Sequence, residues 1–358
     1  MGCEKAEMGE SLKSQHFERA RLEPLRECLR AAIDSLALHL PARTPVKQLR
    51  IGYDGFTISV DRNRTAQIGF APMPYRIVQS KQNSRLKDLR RALAHPGSDW
   101  GSLSGRESHS LAGIEGPNLL AEALRAGLRV PTVFVAQGAE HLLEGLALPA
   151  KTEVLLLRRE LLDSALATET PQPVAALVEP PDWAWAHLLG GQLNAAPLVL
   201  ILDGIQDPGN LGTILRSAEA FGTNGVVCLP GTVSAWNPKA VRASAGSVFR
   251  LPLLVASAQE CFARLLEAGI KIWTTTVRGA QPADLVDLAG PVGLLIGNEG
   301  NGVSDHLAAK ASGRLTIPCP GPVESLNAAV AASVLLYEAS RQRSVLSGGP
   351  IDHRGSAR

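Results

Sequence analysis

No unbroken run of about 18 apolar residues occurs anywhere in the 358-residue chain, so nothing in it reads as a membrane-spanning helix. The opening stretch, MGCEKAEMGESLKSQ, carries acids and no apolar segment, which argues against a secretory signal. Gly2 invites comparison with an acylation motif, but Ala6 stands where that motif wants Ser or Thr. The five cysteines, Cys3, Cys28, Cys228, Cys261 and Cys319, lie far apart without a C-x-x-C pair. That spacing argues against a disulfide framework or a zinc knuckle and fits a reducing cytoplasm. The eight histidines are scattered, with no H-x-x-x-H spacing, so no metal is expected. Charge of one sign is also lacking: a net +2 does not make a polycation, and any contact with nucleic acid must come from a local patch.

What is there is a chain 45% hydrophobic, long enough for two or three domains with real cores. Residues 1–75 say least. An amphipathic helix is expected over Arg19 to Leu40, then strand-like text from Gln48 to Phe70, broken at Asp54-Gly55 and Asp61-Arg62. From Arg76 the text turns basic: RIVQSKQNSRLKDLRRALAH carries Arg76, Lys81, Arg85, Lys87, Arg90 and Arg91. Such a run serves either as a solvated helix face or as a patch for phosphates. Strand and helix patterns then alternate through SLAGIEG, GPNLLAEALRAG, VPTVFVAQ, TEVLLLRR and PVAALVE, which predicts a small α/β domain over 76–170. Pro171, Pro173, Pro180 and Pro181 place a link at 171–182. Gly116-Pro117-Asn118 opens a helix whose free N–H groups are either capped or available to a phosphate.

The second half predicts strands near Leu198, Val226, Leu251, Ile272, Leu294 and Leu315, each followed by a helix or polar loop. This alternation implies a mostly parallel sheet covered on both faces, with ligands beyond the carboxyl ends of its strands. Three strand ends hold the informative residues. In ILDGIQDPGNLGTILRSAEAFG, Asn210 reads as the N-cap of a helix running to about Phe221. Leu211, Ile214, Leu215, Ala218 and Phe221 share one face of it, and Arg216 lies on the other. In GLLIGNEGNGVS a strand runs into three glycines and Glu299. The spacing G-x-x-G-x-G is not the dinucleotide fingerprint, so no nicotinamide cofactor is implied. In RLTIPCPGPVESLNAAVAASVLLYEASRQR a proline-rich loop precedes a helix expected to open at Ser325 and to be buried all round from Leu326 to Leu336. Ser325 and Asn327 fall in its first turn, where they could serve simply as caps. None of the three ends offers a Ser/His or Cys/His pair, so a serine or cysteine nucleophile loses support.

In order and spacing, DPGNLGTILRSAEAFG, IGNEGNGVS and IPCPGPVESLNAAVAASVLLYEA resemble the three motifs of the SpoU/TrmH branch of the SPOUT RNA methyltransferases. The resemblance implies an α/β SPOUT-type domain over 183–345 with a carboxyl-terminal trefoil knot, an exception to the near absence of knots. Residues 76–170 are similar to the small RNA-binding domain, akin to a ribosomal-protein fold, that many members carry. Residues 1–75 and 346–358 are left without a counterpart. By resemblance, Gly297, Ile317 and Leu326, with Thr275, Ile296 and Pro318, would meet S-adenosylmethionine mostly through backbone groups. A homodimer is implied, which agrees with an apolar helix at Leu326 to Leu336.

The resemblance also implies the reaction: methyl transfer from S-adenosylmethionine to a ribose 2′-OH, hence RNA rather than DNA. The small domain points to ribosomal rather than transfer RNA. Asn210, Glu299, Ser325 and Asn327 would position the ribose, Arg216 and the cofactor loop. Family precedent makes Arg216 the base. Because guanidinium stays protonated in proteins, a second role stays open, in which Arg216 orients a phosphate and stabilises developing alkoxide charge. With RNA as substrate, Arg76, Lys81, Arg85, Arg90, Arg91 and the helix start at Gly116 become expected RNA contacts. Two rival readings remain: a same-fold enzyme that methylates a base nitrogen, and a catalytically silent RNA-binding protein that assists ribosome assembly.

Overall fold

A computed structural model of the chain describes residues 50–53, 56–60, 66–70, 75–94, 111–166, 168–190, 196–276, 279–323 and 325–346. The helix expected over Arg19 to Leu40 and the tail after residue 346 lie outside them. Two compact units divide at Pro72. The first contains an antiparallel meander of β1 (Arg50–Tyr53), β2 (Phe56–Val60) and β3 (Ala66–Phe70), whose strands stop where Asp54-Gly55 and Asp61-Arg62 break the text.

The second unit opens with the small domain: β4 (Tyr75–Val78), α1 (Ser84–Ala94), β5 (Ala112–Glu115), α2 (Pro117–Arg125), β6 (Thr132–Ala136), β7 (Glu153–Leu157), α3 (Arg159–Asp163) and β8 (Val174–Val178). Its sheet runs β4-β7-β6-β8-β5. The amphipathic helices lay one face each on it: Leu86, Leu89, Ala92 and Leu93 of α1, and Leu119, Leu120 and Ala123 of α2, are buried.

Here the expected link at 171–182 needs correction. Val174–Val178 is a fully buried strand, antiparallel to both β5 and β6. The prolines that suggested a linker bracket it instead. Pro cannot donate to a ladder, so it sits just outside a central strand, and the Pro173 carbonyl still accepts the Ala136 N–H at 2.8 Å. An apolar strand between two proline pairs reads like a linker until its neighbours are known.

After α4 (Trp185–Leu189) comes the larger sheet: β9 (Leu198–Asp203), α5 (Pro208–Ala220), β10 (Gly225–Cys228), α6 (Pro238–Ala243), β11 (Leu253–Val255), α7 (Ala258–Glu267), β12 (Lys271–Thr275), β13 (Gln281–Pro282), β14 (Val292–Gly297), α8 (Asp305–Ala308), β15 (Gly313–Thr316) and α9 (Ala328–Leu346). The order is β11-β10-β9-β14-β12-β15-β13, and every pairing is parallel. Leu198 to Leu202 and Val292 to Ile296 are buried on both faces, which is why these strands read as continuous apolar runs. One face packs against α5 and α9, the other against α4 and α7.

Two helix starts and the burial of one helix differ from expectation. Asp207, not Asn210, is the N-cap of α5: its side chain accepts the Asn210 N–H at 2.9 Å and Pro208 takes the first helical position. The last helix opens at Ala328 rather than Ser325, capped by Asn327, whose Oδ1 accepts Ala329 N–H at 2.9 Å. Nor is that helix buried all round. Ala328, Ala329, Ala332, Leu335, Leu336 and Ala339 are buried, but Val330, Val334 and Tyr337 form an exposed apolar stripe.

Candidate active site

The sheet order places the carboxyl ends of β9, β14, β12 and β15 side by side, so the three singled-out segments meet there. Gly297 ends β14 opposite Asp203 of β9. The turn beyond it is tied by reciprocal backbone hydrogen bonds between Asn298 and Gly302, at 3.0 and 2.9 Å. Asn298 Oδ1 accepts the N–H groups of Gly300 (2.9 Å) and Asn301 (3.2 Å), and Asn298 Nδ2 donates to the Gly204 carbonyl at 2.8 Å. At Gly297 a Cβ would fall on the backbone of Gly302 and Val303, so only glycine lets this turn fold back so closely. The product is a rigid loop that presents Glu299 to α5.

Glu299 faces the opening of that helix. Its Oε1 accepts Asn210 Nδ2 at 3.0 Å and Asp207 N–H at 3.4 Å, and its Oε2 faces Gln206 N–H at 3.4 Å. Asn210 Oδ1 in turn accepts Asn327 Nδ2 at 3.1 Å. One relay, Asn327 to Asn210 to Glu299, therefore joins residues from all three strand ends. Partial burial alone would raise the Glu299 carboxyl, but the hydrogen bonds from Asn210 and from backbone N–H groups outweigh it and hold the group below its ordinary value. Asp207 is lowered as well, chiefly by the Asn210 N–H and then by Lys239, whose Nζ lies 3.0 Å from Oδ2.

Arg216 stands on the exposed face of α5, nearly two turns beyond Asn210. Among the described residues it has no hydrogen-bond or ion-pair partner, so its donors face outward uncommitted. Next to it, Ser217 Oγ lies 2.7 Å from Ser333 Oγ, pinning α5 to α9. Ser325 is exposed just ahead of the Asn327 cap and stands outside the relay.

The residues expected to meet a cofactor cluster at neighbouring strand ends. Thr275 closes β12 and donates to the Leu295 carbonyl at 3.2 Å; Ile296 and Gly297 close β14; Ile317 and Pro318 follow β15; Leu326 precedes α9. The Ile296 side chain is buried in the core, leaving its backbone as its contribution to the site. Residues 318–323 and 325 are exposed, and neither they nor Leu326 make a backbone hydrogen bond among the described residues.

The expected RNA contacts divide into two groups. Arg76 and Arg85 both pair with Glu153, at 2.9 and 3.2 Å, and Arg90 bonds Ser164 Oγ at 3.1 Å. Lys81 and Arg91 are exposed, as is Lys87. Gly116 is buried with φ of 105°, and its N–H is already given to the Val174 carbonyl at 2.8 Å. It shapes the start of α2 and cannot itself hold a phosphate through that group.

Sequence reasoning missed Asp207, Asn298 and Lys239. Asp before Pro is an N-cap signal in its own right, and Asn before a glycine-bearing turn signals a side-chain-closed turn. Nothing in the sequence pairs Lys239 with Asp207.

The parallel α/β sheet thus brings an amide and carboxylate relay to adjacent strand ends, with Arg216, unpaired among the described residues, on the exposed face of the helix between them. Residues 197–337 match the SpoU rRNA Methylase family model, and 114–184 match RNA 2′-O ribose methyltransferase substrate binding. The chain is 31% identical over 259 residues to the 23S rRNA (guanosine(2553)-2′-O)-methyltransferase RlmP of Bacillus subtilis (strain 168), covering 70% of this chain and 98% of that one. Among solved structures, it resembles the SpoU methyltransferase AviRb from Streptomyces viridochromogenes in complex with AdoMet, with TM-score 0.61 and 29% identity over 73% of this chain and 98% of that one. The AdoMet-bound rRNA methyltransferase from Sinorhizobium meliloti gives TM-score 0.63 and 29% identity, covering 75% and 98%. The chain belongs to the SpoU rRNA methylase family. It is an S-adenosylmethionine-dependent RNA 2′-O-ribose methyltransferase.

Proposed function

We propose that this enzyme methylates a ribose 2′-OH of ribosomal RNA, in the cytoplasm, as a homodimer. The relay Asn327 to Asn210 to Glu299 carries the reading of the site, because it makes one positioning unit from three distant segments. The relative from Bacillus subtilis, named for a 23S rRNA ribose, supports ribosomal over transfer RNA. The exposed stripe Val330, Val334 and Tyr337 on α9, with Phe221 edge-on to Tyr337 at 5.9 Å, supports a second copy docking there. The loops at 297–303 and at 317–323 with 325–326 are read as the threaded region of a trefoil knot.

When bound, S-adenosylmethionine supplies a methyl group already activated by the sulfonium. The chain's own residues must then align the 2′-OH and help remove its proton. We assign Arg216 to the phosphate beside the target ribose and to the developing alkoxide, since its guanidinium stays charged and is not committed to a protein carboxylate. Glu299 keeps Asn210 oriented, and Asn210 and Asn327 hold the opening of α5 and the cap of α9 in register. Thr275, Gly297, Ile317, Pro318 and Leu326 are assigned to the cofactor. Lys81, Lys87 and Arg91 carry RNA binding in the small domain, assisted by Arg76, Arg85 and Arg90 where their carboxylate and hydroxyl partners leave donors free.

The test is calorimetric titration with S-adenosylmethionine of wild type and Arg216→Ala, followed by methyl transfer to ribosomal RNA from a strain lacking the gene. Both proteins should bind, and only wild type should label RNA, at a linkage resistant to alkali. Label released by alkali as an ordinary nucleotide would support a base-methylating enzyme. Absence of cofactor binding in both would overturn the assignment in favour of an RNA-binding assembly factor.

A further inference from the structure

Away from the strand-end site, charge collects where the small domain meets the larger sheet. Arg250 stands between two carboxylates from the two sides. Its Nε and Nη2 reach Glu219 Oε1 and Oε2 on α5 at 2.5 and 3.0 Å, and its Nη1 reaches Glu122 Oε2 on α2 at 2.7 Å. Arg125 also pairs with Glu122. Close by, Gly246 has φ of 88°, and a Cβ there would lie 2.9 Å from Glu122 Cβ, so the backbone approaches α2 as closely as it does only because the position lacks a side chain. A second link joins the same two bodies. The buried carboxylate of Glu115, at the end of β5, accepts Thr168 Oγ1 at 2.7 Å and Gln172 N–H at 2.8 Å, and lies 3.8 Å from Arg242 of α6.

We infer that Arg250 is a positioning residue that holds the small domain at a fixed attitude to α5, the helix that carries Asn210 and Arg216. Glu219 lies three residues beyond Arg216, so the helix presenting the arginine outward is tied through its next turn to α2. A two-pronged guanidinium–carboxylate pair fixes orientation as well as distance, which an ammonium cannot do. RNA captured by the small domain would then reach the strand ends in one register. The inference rests on the small domain holding RNA, as proposed above.

The experiment compares wild type with Arg250→Gln, Arg250→Lys and Glu122→Gln, the last removing the charge that Arg250 and Arg125 share on the small-domain arm and leaving the pair within the larger domain. Each is measured by small-angle X-ray scattering, by cofactor titration and by steady-state methylation of unmodified 23S ribosomal RNA. Expected are an enlarged radius of gyration, unchanged cofactor affinity and a KM for RNA raised about tenfold with kcat nearly preserved. Arg250→Lys should restore only part of the loss. Should the Arg250 variants fail to fold, Glu122→Gln decides alone. Unchanged scattering and KM in Glu122→Gln would overturn the inference, as would loss of cofactor affinity in step with KM, which marks general destabilisation. If wild type transfers no methyl to RNA, the functional reading fails while the scattering still decides whether Arg250 sets the domain attitude.

Discussion

Glu299 illustrates how one side chain can organise a site from its rim. Its carboxylate accepts an amide from Asn210 and faces two backbone N–H groups at the opening of α5, an acceptor-only arrangement that Gln cannot reproduce. Glu299→Gln turns an amide donor toward N–H groups, and the relay to Asn327 loosens. We expect kcat to fall by about a hundredfold, the scale of a small misplacement, with cofactor affinity nearly unchanged; single-turnover methylation beside calorimetry separates the two. The pH dependence follows from the lowered carboxyl. A carboxyl lowered in the folded state stabilises it above the unfolded value, near 4.3, and that contribution is lost as pH falls through the folded value. Wild type should therefore lose activity on the acid side, below the ordinary glutamate range, and Glu299→Gln, already impaired, should show no matching step there. At this scale the sequence was informative about residue type and silent about pairing. Asn210, Glu299 and Asn327 stood out as polar groups at strand ends, but 89 and 117 residues separate Asn210 from its partners, and only the sheet order brings them together. Asn210 looked like a cap because Asp207 performs that task three residues earlier, freeing the Asn210 side chain for the relay.

Between elements, a steric constraint on the site lies under α5. Gly212, inside the motif NLGTILR, is buried, and a Cβ there would fall on the Ala240 carbonyl and the Ala243 Cβ of α6. The glycine thus lets two helices approach closely, and the approach sets where the exposed face with Arg216 points. Gly212→Ala should cost about 1–3 kcal/mol through overpacking, despite the better helix propensity of Ala. Chemical denaturation should show a lower midpoint at unchanged m value. The parallel sheet was legible from apolar runs because strands buried on both faces carry a strong signal. Val174–Val178 was not, since its prolines speak louder than five apolar residues. The last helix was misread for a related reason: Ala and Val at nearly every position hide which face is covered, and the stripe Val330, Val334 and Tyr337 emerges only once α5 and β14 have taken the other side.

For the molecule as a whole, two surfaces make opposite demands of solvent, and each can be tested by salt or by charge. In the small domain, Arg76 and Arg85 already share Glu153, whereas Lys81, Lys87 and Arg91 stand exposed. Replacing the latter three by Ala should flatten the dependence of log affinity for RNA on log salt by about 0.7 for each phosphate left without its cation, and Arg76→Ala should change the slope much less. Filter binding from low to moderate salt checks both, and equal slopes for all four variants would remove the distinction. On the opposite demand, the α9 stripe exposes apolar groups beside Phe221, on the helix that also caps the site through Asn327. A second copy packed there would stiffen the start of α9 and, through Ser333 and Ser217, the helix bearing Arg216. Val334→Lys places a cation in the middle of the stripe, where a dry interface tolerates no unpaired charge. The expected result in sedimentation equilibrium is a shift from dimer to monomer at micromolar protein. Methyl transfer should fall with it, while each folded monomer still shows the far-ultraviolet circular dichroism of the wild type. A variant that stays dimeric would move the interface elsewhere and leave the stripe to another partner.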